Sequence, residues 1–145
     1  MEAKDFFTEE QKQRIQQAIV GAELNTSGEI RVHIDKACKV HVLDQAANVF
    51  HQLKMDATAL RNGILFYLAI EDRKFAILGD KGINEKVPAD FWDQIKETML
   101  DYFKKQQFTE GLSKGIEMAG EKLKRYFPIQ EDDTNELSNE MSFEK

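Results

Sequence analysis

Ile64-Leu65-Phe66-Tyr67-Leu68-Ala69-Ile70 is an unbroken apolar run of seven residues. Continuous apolar character over that length fits a strand covered on both faces. Arg61-Asn62-Gly63 supplies the turn into it, and Glu71-Asp72-Arg73 a short polar turn out of it. Residues 75–78 then read as a third strand, paired with the second as a hairpin. Upstream, Asn25-Thr26-Ser27-Gly28 breaks the chain. Residues 29–34 alternate after it, with Ile30, Val32 and Ile34 on one face and Glu29, Arg31 and His33 on the other. That is the pattern of a half-buried first strand. Between the first two strands, Val42, Ala46, Val49, Phe50 and Leu53 form a helical apolar stripe over residues 42–53. A strand–helix–strand unit implies parallel, right-handed pairing of its two strands.

Helices flank this centre. Thr8-Glu9-Glu10-Gln11 is a capping box opening a helix over 8–23, with Phe7 placed as a hydrophobic staple. Pro88 suits a helix first turn, and the spacing predicts a helix from there to about residue 105. Thr109 opens another, with Leu112, Ile116, Ala119, Leu123 and Phe127 inward, stopped by Pro128. The predicted order is helix, strand, helix, strand, strand, helix, helix. Its fold class is α/β: a short mixed central sheet with helices on both faces, a Rossmann-like three-layer sandwich.

A chain of 145 residues with 41% hydrophobic and 32% charged residues suits one domain with a real core. The net charge is -6. The acids Glu131, Asp132, Asp133, Glu136, Glu140 and Glu144 face Lys145 alone, so the acidity belongs mostly to residues 129–145. We expect residues 1–128 to form the domain and 129–145 a disordered acidic tail. An acidic surface makes nucleic acid a poor partner, though acidity confined mostly to the tail says little about the partners of the domain. One cysteine, Cys38, permits no intrachain disulfide. No apolar run reaches a membrane span and the N-terminus carries no apolar signal region, so a cytoplasmic monomer is the expectation.

Strand direction points the polar residues. Two parallel strands begin where an antiparallel third ends, so Glu29, Asn62 and Asp80 should share a rim, joined by Asp90 ahead of the next helix. Carboxylates and an amide oxygen are hard ligands, which suits Ca2+ or Mg2+. Crowded carboxylates need a cation or a base to neutralise them, and Arg61, Lys81 and Lys86 are the available bases. Solvated caps and loop acids are the plainer account of the same residues.

Other chemistry finds less support. His33, Cys38 and His41 offer zinc donors in a short span but no fourth ligand. Cys38 and His41 as a nucleophile pair lack an orienting third group. Gly111 and Gly115 sit in a helical pattern and do not follow a strand, so they suit close helix packing and not a phosphate loop. Trp92 and Tyr102 flank the stripe of an aromatic helix, where partial exposure would suggest a protein partner. Leu137, Met141 and Phe143 give the acidic tail the makings of a short interaction segment.

The combination Thr26-Ser27-Gly28-Glu29-Ile30-Arg31-Val32, Arg61-Asn62-Gly63-Ile64-Leu65 and Gly79-Asp80-Lys81-Gly82 resembles the TPM domain family, as do Thr8-Glu9-Glu10 and Glu71-Asp72-Arg73-Lys74. The stretch 108–115 resembles that family's last helix, and the likeness runs over about residues 8–127. It implies helices around a short sheet. It also implies functions as varied as acid phosphatase, photosystem maintenance and receptor modulation, with calcium binding associated with the fold. Against secreted members, no signal peptide or membrane anchor is expected here, Arg61 stands in place of an aspartate before Asn-Gly, and the glycine turn gains Asp80. Divalent-cation binding is the leading expectation. A metal-assisted phosphatase and a protein-interaction adaptor are the alternatives.

Overall fold

In a computed structural model, residues 2–129, 137 and 139–144 are described. A 3-10 turn at Ala3–Asp5 leads to α1 (Glu9–Glu23), β1 (Glu29–Asp35), α2 (Val42–Gln52), β2 (Gly63–Ala69) and β3 (Lys74–Gly79). Then follow α3 (Lys81–Lys86), α4 (Asp93–Lys104), α5 (Phe108–Leu123) and β4 (Ser142–Phe143). The sheet order is β3-β2-β1-β4. β1 and β2 are parallel, with Glu29 opposite Gly63, and β2 and β3 antiparallel, with Ile64 opposite Gly79. The capping box forms as predicted: Thr8 Oγ1 accepts the Gln11 N–H at 3.1 Å, and Gln11 Oε1 accepts the Thr8 N–H at 2.9 Å.

The sheet separates two apolar layers. Ile30, Val32, Ile34, Ile64, Phe66 and Leu68 pack on one face with residues of α1, α4 and α5. Leu65, Tyr67 and Ala69 pack on the other with Ala46, Val49 and Phe50 of α2. β2 is buried at every position because its two sets of side chains enter different layers. A fully buried Ile or Leu contributes about 1.5–3 kcal/mol over its exposed state, so this centre dominates stability. The three-layer α/β architecture is as the sequence implies. α5 packs tightly on both neighbours. A Cβ on Gly115 would lie 2.4 Å from Met99 Sδ of α4, and one on Gly120 2.6 Å from Ala22 Cβ of α1.

Several expectations change. Asp80-Lys81-Gly82 is not only a turn: Asp80 caps α3, its side chain accepting the Lys81 N–H at 2.7 Å. Pro88 closes a turn of its own, Phe91 N–H to Pro88 O at 3.0 Å, before α4 begins at Asp93. α5 ends at Leu123 because the chain must turn there. The Phe127 carbonyl then accepts both the Ser27 N–H at 2.8 Å and the Thr26 hydroxyl. The second face of β1 is not solvated: Glu29, His33 and Asp35 are all buried.

The tail also departs from the expected disorder where it is described. Ser142 and Phe143 pair in parallel with His33 and Ile34, and the Glu144 N–H reaches Ile34 O at 2.9 Å. Leu137 and Met141 are each only 8% exposed. Apolar side chains spaced among the acids explain this, because Leu137 joins the α2 layer and Met141 the opposite one. Residues 130–136, 138 and 145 lie outside the described residues, and so does that part of the tail expectation.

Candidate functional site

β1 and β2 begin, and β3 ends, on one rim. The Glu29 N–H donates to Asn62 O at 3.1 Å, and the Asp80 N–H to Gly63 O at 2.9 Å. Glu29 and Asp80 therefore flank Gly63 from either side, with about two strand spacings, roughly 10 Å, between their backbones. The space over Gly63 is filled. A Cβ there would sit 2.9 Å from the Met55 carbonyl and 3.6 Å from Leu137 Cδ1. The rim is thereby split into two halves.

In the Asp80 half, a base neutralises the acid. Arg61, held at φ 50°, donates from Nε and Nη2 to the two Asp80 oxygens at 2.8 and 3.0 Å. This two-pronged contact is the stronger form of ion pair, and it raises the Arg61 pKa above its ordinary value.

The other half holds Glu29 and Asn62, 4% and 2% exposed. Glu29 Oε1 accepts the Leu137 N–H at 2.9 Å. Asn62 Nδ2 donates to Ser27 O at 2.8 Å, while its Oδ1 is buried with no hydrogen-bond partner among the described residues. A buried amide oxygen left unpaired costs about 1–3 kcal/mol. Glu23, at the end of α1, joins this half: its Oε2 accepts the Ile30 N–H at 2.9 Å. Burial pushes the Glu23 carboxyl up, the Ile30 N–H pulls it down and the Glu29 charge raises it again, leaving it at about 7.

Of the four residues singled out by the sequence, the structure sets Glu29 and Asn62 together. It places Asp80 across Gly63 on Arg61, and leaves Asp90 exposed in the turn before α4. Glu23 was missed. The signal for it was the short reversal 24–28, which returns the chain to the rim six residues before Glu29. Among the described residues, no three His, Cys, Asp or Glu side chains gather as a ready-made metal centre.

The zinc candidates are dispersed into other roles. Buried Cys38 lies near Val40 O at 3.2 Å, and His41 caps α2, accepting the Leu43 N–H at 3.3 Å. His33 bridges two strands instead, with Nε2 2.6 Å from Asp35 Oδ1 and Nδ1 2.7 Å from Ser142 Oγ. Asp35 Oδ2 accepts from the Tyr67 hydroxyl at 2.5 Å and the Gln45 amide at 3.0 Å. Burial opposes the Asp35 charge, but the hydrogen bonds from His33, Tyr67 and Gln45 outweigh it and hold the carboxyl below its ordinary 3.8. Burial first, and then Asp35, raise the Tyr67 hydroxyl.

A two-layered cover on a mixed sheet with an acidic strand rim defines the class, and the comparisons agree with it. The sequence model of the TPM domain matches residues 1–122, and the chain belongs to that family. Among solved structures it is similar to the BA42 protein from the psychrophilic bacterium Bizionia argentinensis, at 50% identity and TM-score 0.92, covering 97% of both chains. Two more distant likenesses show the fold alone. One is the N-terminal domain of a P. gingivalis protein, at 17% identity and TM-score 0.70, covering 85% of this chain and 80% of that one. The other is the N-terminal domain of cg2496 from Corynebacterium glutamicum, at 12% identity and TM-score 0.65, covering 94% and 80%. No curated protein matches. Among the described residues, no helix is long and apolar enough to cross a membrane.

Proposed function

We propose that this TPM domain binds a divalent cation, Ca2+ or Mg2+, in the half of the rim formed by Glu23, Glu29 and Asn62. The observation that carries the reading is the Asn62 Oδ1, buried and without a hydrogen-bond partner among the described residues, on the rim where the Glu29 charge acts on Glu23. All three donors are hard oxygens, and a small hard cation satisfies the amide while relieving the repulsion between the acids. Asp80 adds negative potential from across Gly63 while it stays on Arg61, and enters the ligand set only if that pair opens. Asp90 stands outside the set as an exposed control.

Titration of Ca2+ and Mg2+ into the full chain, followed by amide shifts, tests this. Shifts should concentrate at residues 23–30 and 62. Glu23→Gln should weaken binding about tenfold or more, and Asp90→Asn should leave it unchanged. Backbone resonances at residues 23–30 and 62 that stay still at millimolar Ca2+ and Mg2+ end the proposal.

A further inference from the structure

At the far end of β2 from the acidic rim, a second feature is built with the opposite character. A cavity of about 230 Å³ opens between the β2–β3 hairpin and the α4–α5 corner, lined by Leu68, Phe75, Leu100, Phe103 and Phe108. Its aromatic wall is preformed. Phe75 meets Phe103 edge to face at 5.1 Å, and Phe103 lies 5.5 Å from Phe108. Leu100 is nonetheless 42% exposed, and the three rings are only half-buried. The wall is thus an apolar surface partly left to water, where core packing alone would have closed it.

The mouth carries positive charge. Arg73 and Lys104 line the cavity, both exposed, and among the described residues the side chain of neither makes an ion pair or hydrogen bond. The acids next to Arg73 are engaged elsewhere: Glu71 lies 4.0 Å from Lys36, and Asp72 3.8 Å from Lys39. Arg73 and Gln106, both on the lining, hold left-handed backbone at φ 51° and 61°. Glycine fits both positions with less strain. Both belong to local closures, Arg73 in the β2–β3 turn with its N–H on Ile70 O at 3.3 Å and Gln106 at the end of α4 with its N–H on Phe103 O at 2.9 Å, and these closures set the two side chains at the mouth.

We propose that this cavity binds a small apolar carboxylate, an aliphatic chain of several carbons or one aromatic ring bearing a single acid group. The volume lies below the range of drug-sized pockets, which limits the occupant to that size. The apolar walls take the hydrocarbon, while Arg73 and Lys104 take the carboxylate, Arg73 with the paired donors that match its two oxygens. An acidic rim at one end and a cationic, apolar cavity at the other give one sheet two independent ligand chemistries.

The test is a titration of the full chain with sodium octanoate at submicellar concentration, followed by amide shifts. Saturable shifts centred on residues 68, 75, 100, 103 and 108 are expected. Octanol, its neutral counterpart, should bind about tenfold more weakly or worse, and acetate should not saturate the same residues. Arg73→Gln with Lys104→Gln should bring octanoate down to the octanol level. Leu100→Glu, at an exposed position, should abolish octanoate binding with the spectrum otherwise retained. Absence of saturation, equal affinity for octanol and octanoate, or shifts scattered away from the cavity would overturn the proposal. Calcium-induced shifts at the rim report on the other site and are unaffected by any of these variants.

Discussion

Glu23→Gln should remove a pH dependence that the wild-type chain carries. The Glu23 carboxyl sits at about 7 in the folded protein against an ordinary 4.5. The folded state therefore holds its proton more tightly than the unfolded chain. Below pH 4.5 both states are protonated and the group contributes no difference. Between about 4.5 and 7 the unfolded chain has released the proton and the folded one has not, so stability falls as pH rises. Above 7 the full penalty of a buried carboxylate remains. The gap corresponds to about 3 kcal/mol at 1.4 kcal/mol per tenfold step. Residual water at a half-buried side chain cuts this to about 1–2 kcal/mol. Glutamine keeps an oxygen for the Ile30 N–H, so the variant loses the charge and not the hydrogen bond. Urea denaturation of both proteins at pH 5 and pH 8 measures the difference. The variant should gain about 1–2 kcal/mol on the wild type between the two, and the same Ca2+ concentration should stabilise the wild type at pH 8 more than the variant. Curves that run parallel across that range would refute the electrostatic account of the rim.

Leu137→Ala should destabilise by about 2–3 kcal/mol, lowering Tm by about 3 °C for each kcal/mol, while Ile129→Ala, at a site 52% exposed, should leave calorimetric Tm nearly unchanged. Arg61→Gln frees the Asp80 carboxylate at the rim, so Ca2+ affinity measured by calorimetry should rise; a fall would mean that Arg61 itself shapes the site. Gly120→Ala places a methyl against Ala22 of α1. The overpacking cost of about 1–3 kcal/mol should exceed the helix-propensity gain of just under about 1 kcal/mol, giving a net loss in thermal denaturation.

The central elements were legible because two periodicities governed them: the unbroken run 64–70 and the alternation over 29–34. What failed was local. The capping role of Asp80 hid inside a glycine turn, since a cap before a six-residue helix carries no apolar repeat to announce it. β4 was hidden by composition, because acids surround the three apolar residues that anchor it. The rim was legible from strand direction, which brought Glu29, Asn62 and Asp80 to one edge. That Gly63 would admit Leu137 and Met55 between the carboxylates depends on chain segments distant in sequence, and no spacing announces it. His33 read as a sheet-face residue, but its partners Asp35 and Ser142 emerged only once β1 was buried on both sides.

The buried set His33, Asp35 and Tyr67 bears on how β1 finds its alignment. A shift of β1 along β2 by one residue would turn His33 and Asp35 into the greasy layer under α1 and α5. A shift by two would keep the facing but strand the Tyr67 hydroxyl without an acceptor, an orphan that a dry interior tolerates poorly. Oily side chains alone would accept several offsets with little discrimination. Three hydrogen-bonding groups that fit together in one alignment act as a key, so the chain gives up a little greasiness in exchange for a sheet with a single reading frame.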